Sequence, residues 1–307
     1  MGFLYMPIKW KVNVMRKLII FAIVGFFAQL VDGSLGMAFG LTSSTLLLAY
    51  GVAPAIASAS IHMSEIATTA ASGMAHWKFG NVNKRMALLL MIPGSISAFI
   101  GAAFLSSIPG EAVRPYISSF LLLLGLYIFI RFLFWPSSSG DKHDVKPAAC
   151  VRKRILLPLG ATAGFFDAIG GGGWGPINTP VLLSRKEAVP REVIGTVDTS
   201  EFAVTLSATL GFILFLGWGN FDWQWVAAFV IGGVAAAPLA ALLVKKLPSF
   251  LLGVLVGGFI ILTNSYTLLT VFKQSSTLIL VVCSVILFTW ILGVIYSLKG
   301  KRLKKNR

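Results

Sequence analysis

Long apolar runs constrain this chain more than any other feature of its sequence. Runs such as 86–108, 116–135, 250–272 and 277–298 each have roughly the 20 residues that a helix needs to cross a bilayer. Charged residues make up 12% of the chain and hydrophobic residues 56%, whereas a soluble domain is about one quarter charged. The short alternating segments of an outer-membrane barrel are absent from the sequence. The sequence therefore predicts an all-α polytopic membrane protein and excludes a soluble enzyme.

The net charge of +15 comes from short basic clusters at the ends of the apolar runs. Lys and Arg at such positions anchor helices and set their orientation, whereas a nucleic-acid site would gather them on one soluble face. We therefore expect the lipid bilayer, and no nucleic acid, as the partner of these charges. The two cysteines, Cys150 and Cys283, are too few for a disulfide framework or a cysteine metal site, and no cofactor is expected. The polar N-terminus does not resemble a signal peptide, which favours a multi-pass protein of the cell (inner) membrane.

The chain contains an internal repeat. VDGSLGMAFGLTSSTLLL (31–48) aligns with FDAIGGGGWGPINTPVLL (166–183), so that Asp32 falls on Asp167. One inserted residue later the alignment continues through a Pro pair, a Ser-Glu pair and then a Gly-Asn pair. Chance does not produce these matches in the same order. The duplication covers about 25–135 and 160–272, and the matched residues beyond the first segment are Pro54 with Pro190, Ser64-Glu65 with Ser200-Glu201, and Gly80-Asn81 with Gly219-Asn220.

The repeat divides the chain into two transmembrane halves. Each half is predicted to contain a glycine-broken helix pair, at 33–40 or 170–175, followed by three full transmembrane helices. The predicted full spans are 55–77, 84–107 and 112–135 in the first half, and 191–217, 223–246 and 250–272 in the second. The predicted organisation is a basic amphipathic N-terminal segment 1–17, a first repeat 18–135, a basic linker 136–154, a second repeat 155–272, an extra transmembrane helix 277–298 and a basic tail 299–307.

Loop charges indicate that the two repeats are inverted in the membrane. Loop 78–85 holds three basic residues, while its repeat partner 217–222 holds none. Basic residues mark the cytoplasmic side, so inverted halves require that matching loops differ in this way in their positive charge. The four basic residues near the N-terminus conflict with this scheme, because it places them outside the cell. In the alternative, two parallel halves of four spans each, the N-terminus would lie inside, but the basic loops of the second half would lie on the wrong side of the membrane. We expect inversion, with loops 78–85, 136–154 and 185–191 in the cytoplasm and 217–222 outside.

The glycine-rich breaks predict an anion site. A short helix starting at Pro176, where proline suits the first helical position, would direct its free N–H groups and positive dipole end towards the glycines. A bulky residue at one of these glycines would then block the ligand in a protein that still folds. Alternatively, the glycines serve only close helix packing. The predicted substrate-binding residues at the breaks are Gly172, Gly173, Asn178 and Thr179 in the second half, and Thr42, Ser43 and Ser44 in the first.

Five of the eleven acidic residues lie inside apolar stretches, where no Lys or Arg neutralises them. Ionisable residues in a membrane are costly and are functional by default, and burial favours the neutral carboxyl group. We therefore assign Asp32, Glu65, Asp167, Asp198 and Glu201 to proton coupling or gating. The larger coupling defect is expected from Glu201→Gln, because Asp198 lies on the same helical face. The alternative is that these groups only pair with hydroxyls or helix-break amides to hold the halves together.

A metal site and an enzyme active site are disfavoured by the same residues. His62 and Glu65, with their counterparts Asp198 and Glu201, offer one imidazole and three carboxylates, but no HExxH or HxxxH pattern accompanies them. We therefore predict no metal. No GxSxG turn frames a nucleophilic serine.

These motifs resemble those of the TauE/SafE sulfite exporter family, also called the toluene sulfonate uptake permeases. The resemblance extends over about 20–272. It implies a secondary transporter, by name an exporter, for sulfite, organosulfonates or related small sulfur-containing anions; direction and substrate differ among members. Many members carry glycine at the positions of Asp32 and Asp167, so this chain looks like one branch of the family. The segments that carry the resemblance are DGSLGMAFGLTSSTLLL (32–48), HMSEIATTAASGMAHWKFGNV (62–82), FDAIGGGGWGPINTPVLL (166–183) and PREVIGTVDTSEFAV (190–204).

The residues and the resemblance together predict one mechanism. The anion is expected near mid-membrane between the two glycine breaks, held by helix N-termini, hydroxyl and amide donors and His62. The buried carboxyl groups would bind protons that accompany the anion. An anion channel and a membrane-embedded enzyme acting on a small anion are the rival hypotheses.

Overall fold

The computed structural model describes residues 8–134, 151–184, 189–243 and 249–305. These residues form eleven α-helices and one short 3₁₀ turn, Trp218–Asn220, and among them there is no β-strand. The predicted all-α fold is thereby confirmed. The helices are α1 Ile8–Leu35, α2 Phe39–Ala49, α3 Pro54–Lys78, α4 Lys84–Ser107, α5 Gly110–Phe134, α6 Lys153–Gly170, α7 Trp174–Leu183, α8 Pro190–Phe215, α9 Trp223–Leu243, α10 Ser249–Val271 and α11 Ser276–Lys305.

Six stretches of the described helices are long and apolar enough to cross a membrane, which fits a multi-pass membrane protein. The 25-residue helix α3 is not among them, although it is as long as its neighbours. Its buried face carries Ser, Thr, His and Glu side chains, and these lower its hydropathy. The six stretches are Met15–Leu35, Lys84–Ser107, Gly110–Phe134, Pro190–Phe215, Phe250–Val271 and Ser276–Lys299.

Both helix breaks are shorter than the glycine-rich stretches suggest. The first comprises residues 36–38 and the second residues 171–173. Gly36 and Gly171 both have φ +66°, a left-handed conformation that glycine adopts without the steric cost of a Cβ atom. The prediction that the second short helix starts at Pro176 is wrong, because α7 starts at Trp174. Proline is tolerated one turn into a helix because the N–H groups there lack intrahelical acceptors in any case.

The two ends of the chain differ from the predicted segments, and the linker lies largely outside the described residues. Residues 8–17 belong to α1, and α11 continues through the basic residues to Lys305. The linker 136–154 lies largely outside the described residues, as do loop residues 185–188 and 244–248.

The two halves interleave their helices. Helix α1 packs along α9, and its repeat counterpart α6 packs along α4 in the same way. Glycines allow these close approaches: Gly25 lies against Phe229, and Gly160 lies against the backbone of Leu90. Helices α3 and α8 contact each other across the centre, as do α5 and α10. Neither half therefore forms its core without the other.

The corresponding helices α5 and α10 run in opposite directions. Along α5 and α10, Gly125 lies against Ile260 whereas Gly253 lies against Phe132, so the two helices are antiparallel. The broken pair α1–α2 folds back on itself, because the Tyr50 ring that follows α2 lies 5.3 Å from the ring of Phe21 at the middle of α1. These directions support the inverted repeat, whose orientation in the membrane stays a prediction.

Inverted repeats predict that the loops after α3 and α8 face opposite sides of the membrane. Single cysteines at Phe79, which is 66% exposed, and at the exposed Asn220 are expected to react with an impermeant thiol reagent from opposite sides of sealed vesicles. The background is a chain with Cys150 and Cys283 replaced by serine. Labelling of both positions from the same side would contradict the inversion.

Candidate functional site

The two helix breaks contact each other in the buried interior. A Cβ atom on Gly172 would lie 2.1 Å from the amide nitrogen of Leu41, and one on Gly175 would lie 2.2 Å from the carbonyl oxygen of Gly36. Both distances are far below van der Waals contact, so the crossing requires bare backbone at these positions. A bulky residue at Gly172 would therefore disturb the packing of the two breaks, so a loss of ligand binding in that variant would not by itself show a binding role for the glycine.

Two hydroxyl groups tie the breaks together reciprocally. Ser44 Oγ donates to the carbonyl oxygen of Gly171 at 2.8 Å, and Thr179 Oγ1 donates to the carbonyl oxygen of Gly36 at 3.2 Å. Ser44 and Thr179 correspond in the repeat, as do the two glycines. Both hydroxyls were predicted substrate donors, and in the structure they join the halves.

Loss of either hydroxyl is expected to destabilise the crossing. Thr179→Val keeps the side-chain shape but leaves the buried Gly36 carbonyl without this donor, which costs about 1–3 kcal/mol of unfolding free energy. Ser44→Ala is expected to act in the same direction. Thermal unfolding of the purified protein in detergent measures both. Ser184→Ala, which removes an exposed hydroxyl bonded to Val181, is the control, and equal stability of Thr179→Val and this control would contradict the role.

A carboxylate of the protein caps the N-terminus that the sequence assigned to an anion. Asp167 Oδ1 accepts hydrogen bonds from the backbone N–H groups of Gly173 at 2.7 Å and Trp174 at 2.9 Å. In the first half, Asp32 Oδ1 accepts from Phe39 N–H at 3.4 Å, a longer and weaker contact. Each half therefore places its own aspartate across its own break, and the N-terminus of α7 binds an anionic group already present in the chain.

His62 pairs with the other half of the protein, although the sequence grouped it with Glu65 on its own helix. Its Nε2 lies 3.2 Å from Asp167 Oδ2, and both side chains are fully buried. Its Nδ1 lies 2.8 Å from the carbonyl oxygen of Ser58, which can accept a hydrogen bond but cannot donate one, so we assign a proton to Nδ1. The contact between Nε2 and Asp167 then requires one further proton, on either partner.

Three of the five buried acids form a cluster. Carboxylate oxygens of Asp32, Asp198 and Glu201 lie within 4.8 Å of one another, and all three residues are buried. Both carboxylate oxygens of Asp198 lack a hydrogen-bond partner, although the Ser72 hydroxyl lies close enough to interact. Glu65 is not one of these three residues, although it lies close enough to interact with Asp32 and Glu201; it lies beside Gly40, and its Oε2 also lacks a partner. Among the described residues, His62 with Asp167 is the only ion pair.

Some of the remaining predicted residues have hydrogen-bond partners in the structure and others have none. The hydroxyls of Thr42 and Ser43 in α2 are buried and have no hydrogen-bond partner. Asn178 donates to the carbonyl oxygen of Trp174 at 3.0 Å. Ser58 was missed by the sequence reasoning; its hydroxyl donates to Ala168 O at 2.6 Å. Ser58 lies one helical turn before His62, a spacing that could have indicated it.

The fold and its buried polar centre define a class of protein. An internal repeat and a crossing of broken helices rich in polar groups are typical of secondary transporters. The chain belongs to the TauE/SafE sulfite exporter family, whose profile, described as "Sulfite exporter TauE/SafE", matches residues 21–267. The sequence thus identified the family, and the chain is a membrane transporter rather than an enzyme.

Similar proteins agree with this assignment. The chain is 54% identical over 284 residues to "Probable membrane transporter protein YtnM" of Bacillus subtilis (strain 168), a match that covers 92% of this chain and 93% of the relative. It is 27% identical over 232 residues to a "Probable membrane transporter protein" of Xylella fastidiosa (strain 9a5c), covering 73% and 82%. No solved structure matches the chain.

Proposed function

We propose that this protein is a secondary transporter that moves sulfite or a small organosulfonate anion across the cell membrane. The observation that carries the proposal is the buried crossing of two broken helices, at which the N-terminus of α7 already binds a carboxylate. Discontinuous helices of transporters direct their half-helix N-termini at anionic substrate groups in the same manner. The family name supports a sulfur-containing oxyanion as the substrate.

The donors around Asp167 suit a sulfite or sulfonate group. The N–H groups of Gly173 and Trp174 and the Nε2 atom of His62 all contact this one carboxylate. A sulfonate offers three oxygen acceptors, one for each of these donors. The substrate anion would take the place of the Asp167 carboxylate, and the unpartnered hydroxyls of Thr42 and Ser43 are further donors in the opposite break.

Displacement of Asp167 couples the anion to a proton. A neutral carboxyl group accepts weaker hydrogen bonds than a carboxylate, so protonation of Asp167 releases the α7 amides for the substrate. The proton is the one that His62 and Asp167 already share. The other ionisable groups of the site are Glu65 on the helix of His62, and Asp32, Asp198 and Glu201 in the acid cluster. Rocking of the two interleaved halves about this crossing would then expose the substrate to alternate sides.

A thermal-stability screen tests the proposed substrate class. Purified protein is heated with sulfite, sulfate, thiosulfate, small sulfonates or chloride at equal ionic strength. A ligand at 100 times its dissociation constant adds about 2.7 kcal/mol of unfolding free energy. We expect sulfite or a sulfonate to stabilise the wild type, and His62→Gln to reduce that stabilisation. Equal curves for all anions would contradict the substrate proposal.

A further inference from the structure

The repeat relates one pair of side chains, Asp167 with His62, to a second pair, Asp32 with Asp198. The two pairs differ in one residue type, because a histidine in the first is an aspartate in the second. Asp32 corresponds to Asp167, and Asp198 corresponds to His62. In one pair, His62 Nε2 lies 3.2 Å from Asp167 Oδ2. In the other pair, Asp198 faces Asp32 with their carboxylate oxygens within 4.8 Å. An acid therefore stands where the equivalent pair has its base.

The second pair lacks a positive charge from the protein. Asp32, Asp198 and Glu201 are 4%, 1% and 8% exposed, and no Lys or Arg of the described chain forms an ion pair with them. Buried ionised groups are strongly destabilising without a partner of opposite charge. Both oxygens of Asp198 also lack a hydrogen-bond partner, although the Ser72 hydroxyl lies close enough to interact, whereas buried carboxylate oxygens in native proteins ordinarily have a partner. A cation from solution would satisfy both.

We propose that Asp32, Asp198 and Glu201 together bind a hard metal cation, with sodium as the first ion to test. Carboxylate oxygens are the ligands that hard cations prefer. Two oxygens bound to one ion at about 2.3–2.6 Å are at most about 5 Å apart, and the three carboxylates lie within 4.8 Å of one another. The sequence assigned these three residues to protons, and the cation proposed here would take the place of those protons.

The bound cation would act as a coupling ion, and this part of the inference rests on the proposed transport function. Asp32 also contacts the amide of Phe39 at the start of α2, so the cation site adjoins one of the two crossing breaks. A cation there would reduce the repulsion between the acid cluster and a bound anion. Removal of the cation would restore that repulsion, which links the two ions energetically.

The test exchanges the residue that distinguishes the two pairs. Asp198→His supplies the second pair with its own base and is expected to remove the cation requirement. The full-length protein is heated in NaCl, CaCl₂, MgCl₂ or choline chloride at constant ionic strength, without sulfur anions. At least one metal ion is expected to raise the melting temperature of the wild type by about 5 °C when saturating. Glu111→Gln, which changes an exposed acid, is the matched control and is expected to keep the full shift.

The outcomes separate this inference from the proposed function. Loss of the shift in Asp198→His, with the shift intact in Glu111→Gln, supports the cation site. If Asp198→His does not fold, Asp198→Asn replaces it and is expected to require at least about tenfold more metal ion for the same shift. No metal shift in the wild type, a shift retained in the Asp198 variants, or stabilisation by acid alone would overturn the inference. The metal-ion experiment contains no sulfur anion, so it does not depend on transport. If a metal ion raises the melting temperature but the protein transports no anion, the transport proposal is refuted and the cation site is not.

Discussion

Gly172→Ala is expected to disrupt the crossing of the two helix breaks severely. The added Cβ atom would lie 2.1 Å from the Leu41 amide nitrogen and 2.5 Å from the Gly40 carbonyl carbon. Both neighbours are backbone atoms of the opposite break, so no side-chain rotation relieves the clash. Overpacking ordinarily costs about 1–3 kcal/mol, and we expect this change to lie at or above the upper end of that range because neither backbone can move aside. We expect a large fall in the yield of folded protein and in its melting temperature.

The control for this change is a glycine in open space. A Cβ atom on Gly219 would meet no atom within 4 Å, so Gly219→Ala is expected to alter the unfolding free energy by no more than about 0.5 kcal/mol. A Gly172→Ala protein as stable as Gly219→Ala would show that the two breaks do not pack as described.

Asp167→Asn is expected to uncouple anion binding from the proton gradient. The amide keeps the size of the side chain but binds the α7 N–H groups and His62 more weakly than a carboxylate. The substrate anion then has a weaker competitor, and we expect its affinity to rise about tenfold, which corresponds to about 1.4 kcal/mol, the size of one hydrogen-bond contribution. A proton gradient would no longer drive accumulation, because asparagine neither takes up nor releases a proton. Binding by thermal shift and uptake into proteoliposomes under an imposed pH gradient measure the two effects.

Asp222→Asn provides the comparison for Asp167→Asn. Asp222 also caps a helix, accepting from the N–H group of Gln224 at 3.1 Å, but it lies outside the buried site. We expect unchanged anion affinity and unchanged gradient response in this variant. Gradient-driven accumulation by Asp167→Asn at the wild-type level would remove Asp167 from the proton path.

Much of this architecture follows from the sequence because a membrane restricts the possible folds. The apolar runs predict the helices, and the repeat predicts that Asp32 and Asp167 occupy equivalent positions. Glycine-rich stretches indicate where the helices break, yet they do not fix the boundaries. The start of α7 depends on the Asp167 carboxylate bonding to Gly173 and Trp174, an interaction across the break that no local pattern encodes.

The interior of the site was less predictable, since its contacts join distant segments. His62 and Glu65 share a helical face, which suggested a common role. The structure instead pairs His62 with Asp167 from the other half. Likewise, the hydroxyls of Ser44 and Thr179 looked available as donors, whereas each bonds to the opposite break. The repeat alignment identifies which residues correspond, but it does not show which of them meet: His62 of α3 contacts Asp167 of α6, whereas its counterpart Asp198 lies near Asp32.

The most direct test of the transport mechanism is the concentration dependence of anion flux in proteoliposomes. The anion that stabilises the purified protein most is radiolabelled, and its initial uptake rate is measured over a wide concentration range with and without a proton gradient. A carrier with one site at the crossing predicts saturation, acceleration by the gradient and chemically unchanged anion inside the vesicles. Uptake that rises linearly without saturation would indicate a channel, and an anion recovered in altered form would indicate an enzyme; either result would contradict the account.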